Sequence, residues 1–132
     1  MPANHVDLIG VPFKVRGRGP DSFDCYGLVM EMSRRDGIVI PDFGAHSDQG
    51  VVAALVGEAL PQWEETKCDR GAVALFRIGR YVSHVGYMLD RYRMIHSWER
   101  SGGVLVEPIA NWKLRLVGFY KYVGPRSAQA VQ

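Results

Sequence analysis

Phe23-Asp24-Cys25-Tyr26-Gly27-Leu28-Val29 places a cysteine where a loop rich in glycine and proline gives way to an amphipathic helix. A thiol at a helix start feels the partial positive charge of unpaired backbone N–H groups, which favours the thiolate that attacks carbonyl carbon. Working outward, Gly19-Pro20 closes the loop, and Asp21 or Ser22 can cap the first turn. Cys25, Leu28, Val29 and Met32 recur on one helical face, Glu31, Arg34 and Arg35 fall on the polar side, and Gly37 offers a left-handed stop. The spacing predicts a helix over residues 23–36. A weaker pattern, Val52, Leu55, Val56 and Ala59 ahead of Pro61, predicts a second helix over about residues 48–60.

Downstream the period changes from helical to alternating. Ala72–Ile78, Val82–Leu89, Arg93–Trp98, Val104–Pro108 and Leu114–Tyr122 are rich in β-branched and aromatic residues and are separated by turn-forming pieces such as Gly79-Arg80 and Ser101-Gly102-Gly103. Helices followed by an antiparallel meander define an α+β fold class. Tyr81, Tyr87, Tyr92 and Trp98 are expected first as sheet core. The 132 residues, 47% of them hydrophobic, suffice for one domain with a real core, placed at residues 1–123. Residues 124–132, small and polar, read as a flexible tail or a partner-binding extension.

A net charge of +2 is too small to argue for a nucleic-acid partner, and no stretch is long and apolar enough for membrane insertion. The basic piece Lys14-Val15-Arg16-Gly17-Arg18 suits a solvated loop or an anionic substrate. Two cysteines, Cys25 and Cys68, do not make a disulfide framework, and Cys68 reads as an ordinary small residue before a strand. The N-terminus lacks a basic segment followed by an apolar run, so no export signal is expected.

His84 and His96 give the cysteine possible partners. They are twelve residues apart on two strands predicted to form a hairpin in which residues summing to 180 lie opposite one another, so His84 faces His96 only if the connecting loop has an odd number of residues, such as three at Leu89-Asp90-Arg91. A plain two-residue Asp90-Arg91 turn would put them on opposite faces unless a bulge corrected the register. In that register His84 can take the thiol proton, His96 can orient His84, and the Cys25 backbone N–H is one oxyanion donor. The residues alone leave two other readings open: an inert core thiol beside ordinary half-buried histidines, and a zinc site built from all three. His5 and His46 sit in loop-like context and are expected to face solvent.

In order and spacing these pieces resemble the NlpC/P60 family of papain-like cell-wall cysteine peptidases. Arg16-Gly17-Arg18-Gly19 leading into Phe23–Val29 resembles the nucleophile motif, Ser83-His84-Val85-Gly86 the base motif, and Met94-Ile95-His96-Ser97 with Gly102-Gly103-Val104 the third-residue and return strands. The resemblance implies helices on a five- to six-stranded, mostly antiparallel sheet, with Cys25 as nucleophile, His84 as base and His96 as orienter. It implies neither cofactor nor metal. The implied substrate is a peptidoglycan stem peptide, cut at the bond between D-γ-glutamate and a diamino acid. Asp24, Tyr26 and Ser83 are the implied substrate-binding positions, with helix-start capping an equal alternative for Asp24.

Two positions depart from the commonest pattern. Phe13 stands where many members carry a tyrosine, and Tyr26 stands where most carry serine after the nucleophile. An aromatic residue at that second position is similar to the branch found in bacteriophage tails. That branch implies phage tail-tip or baseplate proteins as partners, a place on the virion tail, and action in the cell wall. The alternative within the branch is a structural tail-tip subunit with little or no hydrolase activity. A transferase or deamidase using the same acyl-enzyme chemistry is a third reading.

Overall fold

The computed structural model describes residues 3–42 and 62–124. Helix α1 runs Cys25–Arg35 and begins two residues later than its apolar period suggests. Its cap is Asp24, not Asp21 or Ser22: the Asp24 side chain accepts a hydrogen bond from the Gly27 N–H at 2.7 Å. The loop governs this choice, because the Asp24 N–H is already bonded to the Gly17 carbonyl, which holds Asp24 extended at the helix entrance. Gly27 can sit in the first turn only as glycine, since a Cβ there would run into the Gly17 carbonyl oxygen. Gly37 ends the helix in the left-handed region at φ 93°, with the Gly37 and Ile38 N–H groups returning to Arg34 and Ser33.

Among the described residues six strands form one antiparallel sheet: β1 Trp63–Glu65, β2 Val73–Ile78, β3 Tyr81–Met88, β4 Arg93–Trp98, β5 Gly103–Pro108 and β6 Leu116–Tyr122. Their order across the sheet is β1-β6-β2-β3-β4-β5, so the meander β2 to β5 is completed by β6 returning beside β2. Two features differ from the alternation. Strand β1 is too short to show a period and exists because β6 pairs with it, Glu64 lying opposite Lys121. Residues predicted to begin the last strand at Leu114 instead belong to a 3-10 segment, Ile109–Arg115. The helix predicted over residues 48–60 with Pro61, His46, and the tail beyond Gly124 lie outside the described residues.

The central strands β2 to β4 are buried on both faces. Helix α1 packs on β3 and β4, and Cys25, Leu28, Val29 and Met32, all without solvent exposure, meet Val73, Leu75, Val85, Tyr87 and Ile95. Each such apolar side chain is worth about 1.5–3 kcal/mol when removed from water. The other face carries Ala74, Phe76, Met88 and Met94 and is covered by Trp112 from the 3-10 segment. Tyr87 joins the core as expected, whereas Tyr81, at the start of β3, and Tyr92, in the loop before β4, are exposed. His5 is half-buried rather than open to solvent.

Candidate active site

The β3–β4 hairpin pairs Tyr87 with Ile95 and Met88 with Met94, and the Leu89 N–H is bonded to the Arg93 carbonyl. Its loop is therefore the three residues Asp90-Arg91-Tyr92, one step along from the expected Leu89-Asp90-Arg91. The odd count is kept, and with it the shared face of the two histidines. In this register His96 falls opposite Gly86, and His84 lies diagonally across from it. Gly86 makes the diagonal contact feasible: a Cβ there would stand 3.0 Å from Met94 Sδ and 3.3 Å from His96 Cβ. A bulge also precedes the base. Phe76 pairs with His84 but Arg77 with Val82, so Ser83 is the extra residue and re-aims His84 relative to the outer part of the strand.

The two imidazoles meet at 2.7 Å between His84 Nε2 and His96 Nδ1. His96 Nε2 lies 2.6 Å from Oε2 of Glu107, a β5 residue. Both rings are wholly buried, within an aromatic enclosure. Trp112 stacks on His84 at 5.2 Å and meets His96 edge-on at 5.1 Å, while Trp98 lies 4.7 Å and Phe76 5.8 Å from His84. Burial pushes the His84 pKa well below the usual imidazole value, helped by His96 and Arg115. Burial also lowers that of His96, opposed by its hydrogen bond to Glu107. Both rings are neutral near pH 7, the state in which a histidine can accept a proton.

Cys25 occupies the first position of α1, wholly buried, and belongs to the same core cluster as Val85 and Ile95, the residues next to His84 and His96 in their strands. The entrance of α1 is fastened to β4 by Ser97, whose Oγ donates to the Phe23 carbonyl at 2.7 Å. The histidines are thus brought into direct contact, and the thiol stands at the helix start packed against the same two strands. His84 Nδ1 is buried and makes no hydrogen bond, with the thiol or with any other group. Cys25 and Cys68 are both thiols.

The other positions singled out by sequence have definite surroundings. Besides capping α1, Asp24 is 1% exposed and is bound by Arg18 at 2.7 Å, and its second oxygen is buried without a hydrogen bond. Tyr26 is fully buried, and its hydroxyl donates to the Pro41 carbonyl at 2.7 Å. Ser83 is half-buried in the bulge. Among the described residues no group of three or more His, Cys, Asp or Glu side chains is placed to hold a metal ion.

Sequence reasoning missed Glu107. Strand alternation could have found it, since Gly103, Leu105 and Glu107 share a face and that face is opposite Trp98, His96 and Met94. A carboxylate among those residues faces an imidazole.

A helix-start thiol and a buried histidine pair on an antiparallel sheet define a class of α+β proteins in which a helix packs on a six-stranded sheet. Within that class the chain belongs to the NlpC/P60 family, whose pattern matches residues 10–121. The "Probable endopeptidase p60" of Listeria innocua is 27% identical over 113 residues, covering 84% of this chain and 22% of the relative. The chain thus spans about a fifth of the length of the curated relatives it matches. Among solved structures, an NLP/P60 family protein similar to a lipoprotein from Staphylococcus aureus superposes with a TM-score of 0.64 at 21% identity, over 92% of this chain and 39% of that one. The peptidoglycan hydrolase RipB of Mycobacterium tuberculosis superposes at 0.58 and 20% identity, over 89% of this chain and 60% of that one. At such identities these structures speak for the fold.

Proposed function

We propose that this chain is a cysteine endopeptidase that cleaves peptidoglycan stem peptides at the bond between D-γ-glutamate and a diamino acid. The observation that carries the reading is the 2.7 Å contact between His84 and His96, on the strands against which the start of α1 packs Cys25. In the proposed reaction His84 Nδ1 takes the Cys25 proton and the thiolate attacks the scissile carbonyl. The developing oxyanion is met by the Cys25 N–H at the first position of the helix. The imidazolium then protonates the leaving amine, and water admitted to the acyl-enzyme regenerates the thiol through the same base. His96 holds His84 in orientation, and the aromatic enclosure keeps bulk water from the pair. The endopeptidase and peptidoglycan hydrolase names of the similar proteins support the substrate class.

The narrower part of the proposal places the protein on a phage tail or tail-like particle, working with tail-tip or baseplate proteins as the cell wall is penetrated. Tyr26, next to Cys25, supports it. Asp24, Tyr26 and Ser83 flank the nucleophile and the base and are proposed to shape substrate binding. Asp24 acts through its ion pair with Arg18, and Tyr26 acts through the Pro41 segment it holds.

A second reading is a structural tail-tip subunit with weak or no hydrolysis. The observation favouring it is that Cys25, His84 and His96 have no solvent exposure and His84 Nδ1 makes no hydrogen bond.

Incubation of purified sacculi followed by mass spectrometry of the soluble fragments separates the two. The peptidase reading expects stem-peptide fragments from wild type and none from Cys25→Ala. Equal release by both would overturn it. Tail assembly that fails on deletion of the chain yet succeeds with Cys25→Ala would establish a structural role separate from the chemistry.

A further inference from the structure

Among the described residues, Glu107 is the group bonded to the histidine pair from outside, and its position dictates where every proton of the relay sits. Its Oε2 is 2.6 Å from His96 Nε2, and its Oε1 accepts from Asn111 Nδ2 at 3.1 Å. A carboxylate only accepts hydrogen bonds, so His96 must carry its proton on Nε2. A neutral His96 then presents a lone pair at Nδ1, and the 2.7 Å contact requires His84 to donate from Nε2. That leaves His84 Nδ1 as a bare lone pair, the buried ring nitrogen that makes no hydrogen bond. Reversing the relay would place a proton on that nitrogen and leave His84 unable to accept one from a thiol there.

We propose that Glu107 is a positioning residue that fixes the tautomers of His96 and His84 so that His84 Nδ1 is the basic nitrogen of the site. The inference rests on the peptidase reading for its consequence in catalysis, but the tautomer assignment itself needs only the three side chains. The electrostatics agree with it. Burial works to raise the Glu107 pKa, yet hydrogen bonds from His96, Asn111 and Trp112 outweigh this and hold it below the usual glutamate value. Arg115, whose guanidinium lies 5.1 Å over the Trp112 ring, acts against a charge on His84. Glu107 is the opposing charge, acting through His96, when His84 becomes an imidazolium.

The test compares wild type with Glu107→Gln, Glu107→Ala and Glu107→Asp in two measurements. Nitrogen NMR of the imidazoles reads the tautomers directly. Wild type and Glu107→Asp should both show His84 and His96 protonated on Nε2, whereas Glu107→Ala should show a mixture. Alkylation of Cys25 by iodoacetamide across pH reads the base. Wild type should react at low pH as an imidazole-assisted thiol. Glu107→Ala and Glu107→Gln should react on the order of 10–100-fold more slowly there, with the inflection moved towards that of an ordinary thiol, and Glu107→Asp should recover most of the rate. Unchanged tautomers and an unchanged alkylation profile in folded Glu107→Ala would overturn the inference, as would wild-type His84 carrying its proton on Nδ1. A wild type that leaves sacculi intact while showing the expected tautomers would defeat the peptidase reading alone.

Discussion

His84 is a base by virtue of its burial, and burial has a measurable cost. A histidine held neutral in the folded protein takes up a proton near pH 6.5 once unfolded. Below that pH the unfolded chain binds more protons than the folded one, so stability falls as pH falls. The depressed pKa values of His84 and His96 place this loss between about pH 6.5 and the lower folded values, with a slope of up to about 1.4 kcal/mol per pH unit for each ring. The depressed Glu107 carboxyl acts in the same direction at lower pH: its contribution is present above the ordinary glutamate pKa and is lost as pH drops through the lower folded value. Urea denaturation from about pH 7.5 to about pH 5.5 should therefore show stability declining with pH. In His84→Gln the decline should be shallower by about one proton's worth. An unchanged slope would mean that His84 protonates as readily folded as unfolded.

At the scale of elements, α1 is positioned by its entrance. Asp24 both caps the helix and holds Arg18, which reaches on to Asp42 at 2.8 Å. Asp24→Ala removes the cap and leaves Arg18 with Asp42 and the Gly17 carbonyl; a loss of about 1–2 kcal/mol is expected from the cap alone. Asp24→Asn keeps an acceptor for the Gly27 N–H and should recover part of it. Equal stability of Asp24→Ala and wild type in thermal unfolding would show that the helix start is held by Ser97 and Phe23 without the cap. The stripe Cys25, Leu28, Val29 and Met32 and the strand β4 were legible in sequence because each packs against the sheet in a regular period. The parity of the β3–β4 loop was legible only as a condition, since histidines twelve residues apart share a face across an odd loop and the sequence left either turn open. What the sequence did not reveal depends on partners distant in the chain. Strand β1 requires β6, the Ser83 bulge requires the register of β2 against β3, and the role of Glu107 requires that of β5 against β4. Asp24 was weighed as a cap, but preference for it over Asp21 or Ser22 required the loop that brings Gly17 to its N–H.

For the whole molecule, the candidate site depends on both layers that sandwich the sheet. Helix α1 carries the thiol at its start, and the 3-10 segment lays Trp112 over the imidazoles. Trp112 is 5% exposed, stacks on His84 and lies edge-on to His96 and Trp98, so its removal opens the histidine pair to water. Trp112→Ala should cost about 3–5 kcal/mol from lost burial and the cavity left behind. Water reaching His84 should also raise its pKa towards the ordinary value, because desolvation is the largest cause of the depression. The same substitution should therefore lower overall stability and flatten its decline below pH 6.5. Trp112→Phe, which keeps a ring over the pair, should lose less stability and retain most of the pH slope. Denaturation of both variants at two pH values separates the effects. A Trp112→Ala protein that is destabilised but keeps the wild-type slope would show that strands β2 to β4 shield His84 by themselves.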